Sequence, residues 1–135
     1  MAKVYEDYPD DLLAVPEGMK PVLARMSKIY KLGIATSRVR VEMEELFDMF
    51  KFRKYFEASV TFDECRITKP APNPLLMVAR KLGVNPSMCL YVGDNDVDRD
   101  AAASAGMKFI RYSYRKSSGS VSSFREIPKI VASLS

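Results

Sequence analysis

The chain contains no histidine. That excludes Ser-His-Asp and Cys-His nucleophile systems, which need an imidazole base. It also excludes His-ligated zinc and non-haem iron. Only two cysteines are present, Cys65 and Cys89, with no C-x-x-C spacing. Two thiols cannot fill a zinc site, and the pair reads as reduced thiols of a cytoplasmic protein. No apolar run approaches the ~18–20 residues of a membrane span. The start, Met1-Ala2-Lys3-Val4-Tyr5-Glu6-Asp7, turns acidic at once and lacks the apolar stretch of a secretory leader. A membrane partner and secretion are therefore not expected. Any chemistry must rest on carboxylates, lysines, hydroxyls or a hard cation held by oxygen.

The composition is that of an ordinary globular chain: 135 residues, 47% apolar and 28% charged. A single α/β domain over residues 1–135 is expected, and it would bury roughly two-thirds of its unfolded surface. The net charge of +4 is spread along the sequence. One cluster, Lys108, Arg111, Arg115 and Lys116, interleaves with Phe109, Tyr112 and Tyr114. Such interleaving can bind nucleic acid. A strand followed by a solvated loop explains it as well, and no nucleic-acid partner is expected. Ser117-Ser118-Gly119-Ser120-Val121-Ser122-Ser123 reads as a flexible loop.

Two hydrophobic periods alternate along the rest. Met19, Val22, Leu23, Met26 and Ile29 follow helical spacing. Leu32 to Thr36 is a buried strand, and Val39, Met43, Leu46, Phe47 and Phe50 return to a helix. Ala58 to Phe62 is strand-like. Asn73-Pro74 caps and starts a helix through Leu82, which Gly83 ends. Cys89 to Val92 is a third buried run, Val97 to Ala105 a helix stopped by Gly106, and Met107 to Ile110 a fourth strand. A last helix runs through Ile127, Ile130, Val131 and Leu134, with Pro128 near its start. This alternation predicts a doubly wound parallel sheet with helices on both faces and right-handed crossovers.

In such sheets ligands bind beyond the carboxyl ends of the strands. There the sequence carries Thr36-Ser37-Arg38, then Lys69-Pro70-Ala71-Pro72, then Gly93-Asp94 through Asp98. Thr36 can bond an anionic oxygen, helped by N–H groups of the next helix. Lys69 can neutralise phosphate charge. Asp94, with Asp98 four residues on, can hold Mg²⁺ directly or through water. Each residue taken alone has an ordinary explanation: a strand-end cap, a loop lysine, a turn with a solvated helix face. The ordered trio favours a phosphoryl clamp.

The same residues carry a resemblance. Gly33-Ile34-Ala35-Thr36-Ser37-Arg38, Phe52 to Phe56, Lys69 to Pro74, Leu82 to Pro86, Tyr91-Val92-Gly93-Asp94 through Asp98, and Ala101 to Met107 together resemble the haloacid dehalogenase (HAD) superfamily, phosphoglycolate-phosphatase-like members above all. The resemblance covers about residues 16–134. It implies a Rossmann-like core and a Mg²⁺-dependent phosphatase acting on a small phosphate monoester, with Mg²⁺ as cofactor. An aspartate attacks the phosphorus, and the aspartyl phosphate is then hydrolysed. Thr36 and the Ser37 N–H would bind phosphate, Lys69 would be the catalytic lysine, and Asp94 and Asp98 would be the metal residues, Asp98 supporting from behind.

The family's first motif, a strand ending in Asp-x-Asp-Gly-Thr that lies between the strands ending at Thr36 and Val92, is not recognisable. Three accounts compete. Val4 to Leu12 is a degenerate version with Asp7 as nucleophile, Pro9 at the acid position and Glu6 where an apolar residue belongs. Alternatively Tyr5, Tyr8, Leu12 and Leu13 form the last helix of a cap, and a preceding segment or partner chain fills the sheet. Or the protein is a catalytically inactive relative that binds a phospho-ligand or a protein. An unfilled centre would favour a homodimer or domain swap.

Overall fold

The computed structural model describes residues 2–6, 19–112 and 127–134. Among the described residues five strands and five helices follow one another: β1 (Ala2–Glu6), α1 (Met19–Ser27), β2 (Lys31–Ala35), α2 (Arg40–Phe50), β3 (Ala58–Val60), α3 (Asn73–Leu82), β4 (Cys89–Gly93), α4 (Asp96–Ala105), β5 (Lys108–Arg111) and α5 (Ile127–Leu134). Two short 3-10 turns, Arg53–Tyr55 and Pro86–Met88, lead into β3 and β4. The strands form one sheet in the order β3-β2-β1-β4-β5, and every pair is parallel. The α/β doubly wound architecture predicted from the alternation is the one observed.

The central position is held by Ala2–Glu6. Tyr5 lies opposite Ile34 on one side and Val92 on the other. The account that makes Tyr5 part of a helix is corrected here. β2 and β4 each present a row of ladder groups toward the centre, and burying those groups unpaired is costly. A strand from residues 2–6 satisfies both rows, and Val4 and Tyr5 suit that state. The gap that would favour a domain swap is absent.

Alternation along the strands sorts the core into two layers. Leu32, Ile34, Leu90, Val92 and Ile110 face α1, α2 and α5, where Met19, Val22, Leu23, Met26, Met43, Phe47 and Val131 close over them. Ala35, Val60, Cys89 and Tyr91 face α3 and α4, against Leu75, Val78, Ala79, Leu82, Ala101, Ala102 and Ala105. Each strand that is buried on both faces reads as a continuous apolar run for this reason.

Two helix ends follow the glycine rule, while α2 closes on Lys51 (φ 58°). Gly83 (φ 69°) and Gly106 (φ 77°) take the left-handed conformation that closes α3 and α4, donating back to the last carbonyls. The start of α3 differs from expectation. Asn73 is the first helical residue and Pro72 occupies the cap, with no side-chain bond. Pro74, lacking an N–H, sits in the first turn, where that donor has no helical partner in any case. Pro128 likewise falls in the first turn of α5. The Ser117–Ser123 loop and part of the Lys108–Lys116 cluster lie outside the described residues. Within them, Arg111 pairs with Asp96.

Candidate active site

The order of the strands reverses between β1 and β4, and the predicted site residues gather at the carboxyl ends beside that reversal. Thr36 follows β2 directly. It is buried, its N–H donates to Val60 O (3.0 Å), and its hydroxyl accepts the Arg38 N–H (3.0 Å). Ser37 beside it is exposed. The first N–H of α2, at Arg40, is taken by Asp63 Oδ1 (2.7 Å). The help expected from that helix end is therefore partly committed inside the protein.

Asp98 is the hub. It lies in the first turn of α4 and is 1% exposed. Oδ1 accepts from Lys69 Nζ (3.0 Å) and the Tyr91 hydroxyl (3.4 Å). Oδ2 accepts from the N–H groups of Asp94 (3.0 Å) and Asn95 (3.3 Å). Asn95 caps the helix in return, its Oδ1 accepting the Asp98 N–H (2.9 Å). A carboxylate has about four acceptor positions, and here all four are used. Asp98, expected among the metal residues as a support behind Asp94, accepts from the Asp94 N–H and from the Lys69 ammonium.

That packing requires Gly93. A Cβ there would lie 2.5 Å from Asp98 Cβ and 2.7 Å from its Cγ and Oδ2. The glycine serves close approach of strand and helix.

Lys69 comes from the long β3–α3 connection, and its peptide to Pro70 is cis. Its side chain is 8% exposed. Burial pushes the ammonium below its ordinary range, against the opposing pull of Asp98 and the field of Asp94. The ammonium also contacts the Tyr91 hydroxyl (3.0 Å) and lies 5.6 Å from its ring centroid. Asp94, half-buried at the end of β4, is pushed up to about 6 by burial and by the neighbouring Asp98 carboxylate, with Lys69 pulling the other way.

Among the described residues, no three carboxylate or thiol side chains converge to hold a metal ion. The donor chemistry nonetheless suits a hard cation. Asp94 offers carboxylate oxygens whose charge the protein compensates incompletely, as its raised pKa reports. Mg²⁺ characteristically takes one or two carboxylates and keeps several waters. Asp7 lies outside the described residues.

Tyr91 and Asn95 are the members that sequence reasoning did not assign. The signal for Tyr91 was a phenol inside a fully buried strand, where its hydroxyl must find a partner. The signal for Asn95 was its spacing three residues before Asp98, a capping-box pattern.

A family model for haloacid dehalogenase-like hydrolases matches residues 1–112. The chain is 34% identical to the phosphoglycolate phosphatase of Salmonella typhi over 95 residues, 70% of this chain and 38% of that protein. It is 33% identical to pyrophosphatase PpaX of Bacillus cereus (strain AH820) over 103 residues, 76% of this chain and 48% of that protein. A solved HAD-superfamily hydrolase of subfamily IA from Geobacter sulfurreducens superposes with a TM-score of 0.77 at 31% identity, over 86% of this chain and 60% of that one. The chain belongs to the haloacid dehalogenase-like hydrolase family. Its aligned part spans less than half the length of the two curated relatives.

Proposed function

We propose that this protein provides the site of a Mg²⁺-dependent phosphatase that acts on small phosphate monoesters. The observation that carries the reading is the meeting of Thr36, Lys69 and Asp94 at one end of the sheet, with Lys69 buried and held by Asp98. The relatives named above for phosphoglycolate and pyrophosphate act on small phosphoanions by name, in keeping with this substrate class.

Thr36 and the Ser37 N–H bind oxygens of the phosphoryl group, and Lys69 neutralises its charge as the leaving oxygen departs. Asp94 would hold Mg²⁺, which supplies further charge neutralisation at the phosphoryl oxygens when bound. Asp7 is the proposed nucleophile. Asp7 follows directly in sequence on β1, the strand that pairs Glu6 with Ala35 and Tyr5 with Val92. An Asp7 oxygen forms a bond to phosphorus, the bond to the leaving oxygen breaks, and water then hydrolyses the aspartyl phosphate. Pro9 stands where the family carries its proton donor and cannot protonate the departing oxygen. Leaving groups stable as anions, such as phenols, are accordingly the favoured ones. The setting proposed is the cytoplasm, where the two buried thiols Cys65 and Cys89 remain reduced. Among the described residues no helix is long and apolar enough to cross a membrane.

The test is hydrolysis of p-nitrophenyl phosphate by the purified chain with Mg²⁺ and with EDTA, alongside Asp7→Asn and Asp94→Asn. Turnover that needs Mg²⁺ and is lost in both variants is the expected result. Turnover that survives Asp94→Asn would sink the metal assignment. Phosphate binding without any turnover would make the chain a phospho-ligand-binding relative.

A further inference from the structure

We infer that Tyr91 is a positioning residue for Lys69, tying the loop-borne ammonium to the strand that leads into Asp94. The inference deepens the phosphate-site reading above and rests on it.

Tyr91 lies in the middle of β4 and is fully buried on the α3–α4 face. Packing alone does not ask for a phenol there. A phenylalanine would fill the same space, and a buried hydroxyl costs free energy unless it is bonded. The Tyr91 hydroxyl accepts from Lys69 Nζ at 3.0 Å and lies 3.4 Å from Asp98 Oδ1. The ammonium sits beyond the hydroxyl oxygen, 5.6 Å from the ring centroid, so it meets the hydroxyl and not the ring face. The other side of the ring zone is closed by Phe109, 6.2 Å away.

The need for such an anchor follows from where each group originates. Asp98 is carried by α4, whose start a capping box fixes, and Asp94 immediately follows β4. Lys69 is carried by the connection between Val60 and Asn73, which contains no helix or strand. Its ammonium is deeply desolvated, and burial works against its charge. Asp98 supplies the opposing charge, while Tyr91 supplies a fixed lone pair from a rigid strand. Two contacts from two elements define a position where one would define only a distance.

The experiment is calorimetric titration of inorganic phosphate, with Mg²⁺ at fixed ionic strength, into four forms of the chain: unmodified, Tyr91→Phe, Lys69→Ala and the double variant. Urea unfolding confirms that each is folded, and Lys69→Met replaces Lys69→Ala if the alanine variant is not. Tyr91→Phe is expected to weaken phosphate binding about tenfold, the size of one hydrogen bond to a charged group. In the background without Lys69 the same change is expected to have almost no effect, because residues that act through one another are not additive. Tyr91→Phe that binds like the unmodified chain overturns the inference. So does a loss of equal size in both backgrounds, which would mark a purely structural role and leave the proposed function standing. Absence of phosphate binding by the unmodified chain overturns the proposed function, and the role of Tyr91 falls with it.

Discussion

Two lysine–carboxylate pairs in this molecule have the same chemistry and opposite circumstances. Lys69 and Asp98 are 8% and 1% exposed; Lys81 and Glu64, at the outer edge of β3, are 39% and 31% exposed. At the edge, Glu64 pairs with both Lys81 and Arg40. Those two cations also donate to Ser59 O, at 3.0 and 3.1 Å, covering the outward carbonyl of a three-residue edge strand. Burial raises the Glu64 carboxyl, but Lys81 and Arg40 outweigh it and leave it below the usual range. At the site burial wins instead, and Lys69 ends below its ordinary value despite Asp98. The same pair guards a surface in one place and is held under electrostatic load in the other.

The largest expected effect separates these circumstances directly. Asp98→Ala strands a buried ammonium and should cost about 3–5 kcal/mol, whereas Glu64→Ala should cost less than about 1 kcal/mol. Urea unfolding of both measures this, and equal losses would erase the distinction.

Next comes a comparison between two glycines. Gly93→Ala drives a methyl into Asp98, which four hydrogen bonds hold in place; Gly33→Ala drives one to 2.5 Å from Val78 Cγ1. Each should cost about 1–3 kcal/mol by overpacking. Only Gly93→Ala should also abolish phosphate binding in the molecules that remain folded. Phosphate titration of both variants decides it, and intact binding in Gly93→Ala would refute the role given to Asp98.

A smaller effect has the opposite sign. Asp94 is raised from 3.8 to about 6. A carboxyl with a raised folded pKa lowers stability above that value, and the loss disappears below its unfolded pKa. Asp94→Asn should therefore stabilise the protein in EDTA at pH 7 by about 1–2 kcal/mol, after a discount for its half-exposed position. At pH 3.5 the difference should vanish. A gain over the unmodified chain no larger at pH 7 than at pH 3.5 contradicts the cause assigned to the shift. The smallest effect is at the edge. Glu64 is lowered, so its contribution is present above 4.5 and is lost as pH falls through the folded value. Glu64→Gln should flatten that acid limb of the stability curve while changing stability at pH 7 by under about 1 kcal/mol.

Much of this arrangement is legible in the sequence. The end of α3 at Leu82 is legible because helical spacing and the terminal Gly83 agree on it, whereas Asn73, expected as its cap, is already helical. Thr36 and Asp94 are legible because each directly follows a strand, where a parallel sheet exposes its ligand edge, and Lys69 because it lies in the loop after another. β1 was not secure. Lys3 and Glu6 interrupt the apolar run that a central strand usually shows, so its identity depends on β2 and β4 needing a partner. The Tyr91–Lys69–Asp98 cluster was illegible for another reason. Nothing local links a loop lysine to a strand tyrosine 22 positions later; the contact exists only after α3 has crossed the sheet. Asp96, Asp98 and Asp100 look equivalent as sequence, yet only Asp98 is buried, because it alone faces Gly93.

The central strand also carries a consequence for how the chain acquires its shape. Ala2 pairs with Lys31 on one side and Cys89 on the other. In order of synthesis the strand at the middle of the sheet comes first, and its second neighbour emerges several seconds later at ~5–20 residues per second. Contacts so distant along the chain cost loop-closure entropy before they return any stability. Until β4 arrives, Ala2–Glu6 has an open edge. Assembly of the site therefore waits on the latest of its long-range pairings, and agents that shield exposed strands would act in that interval.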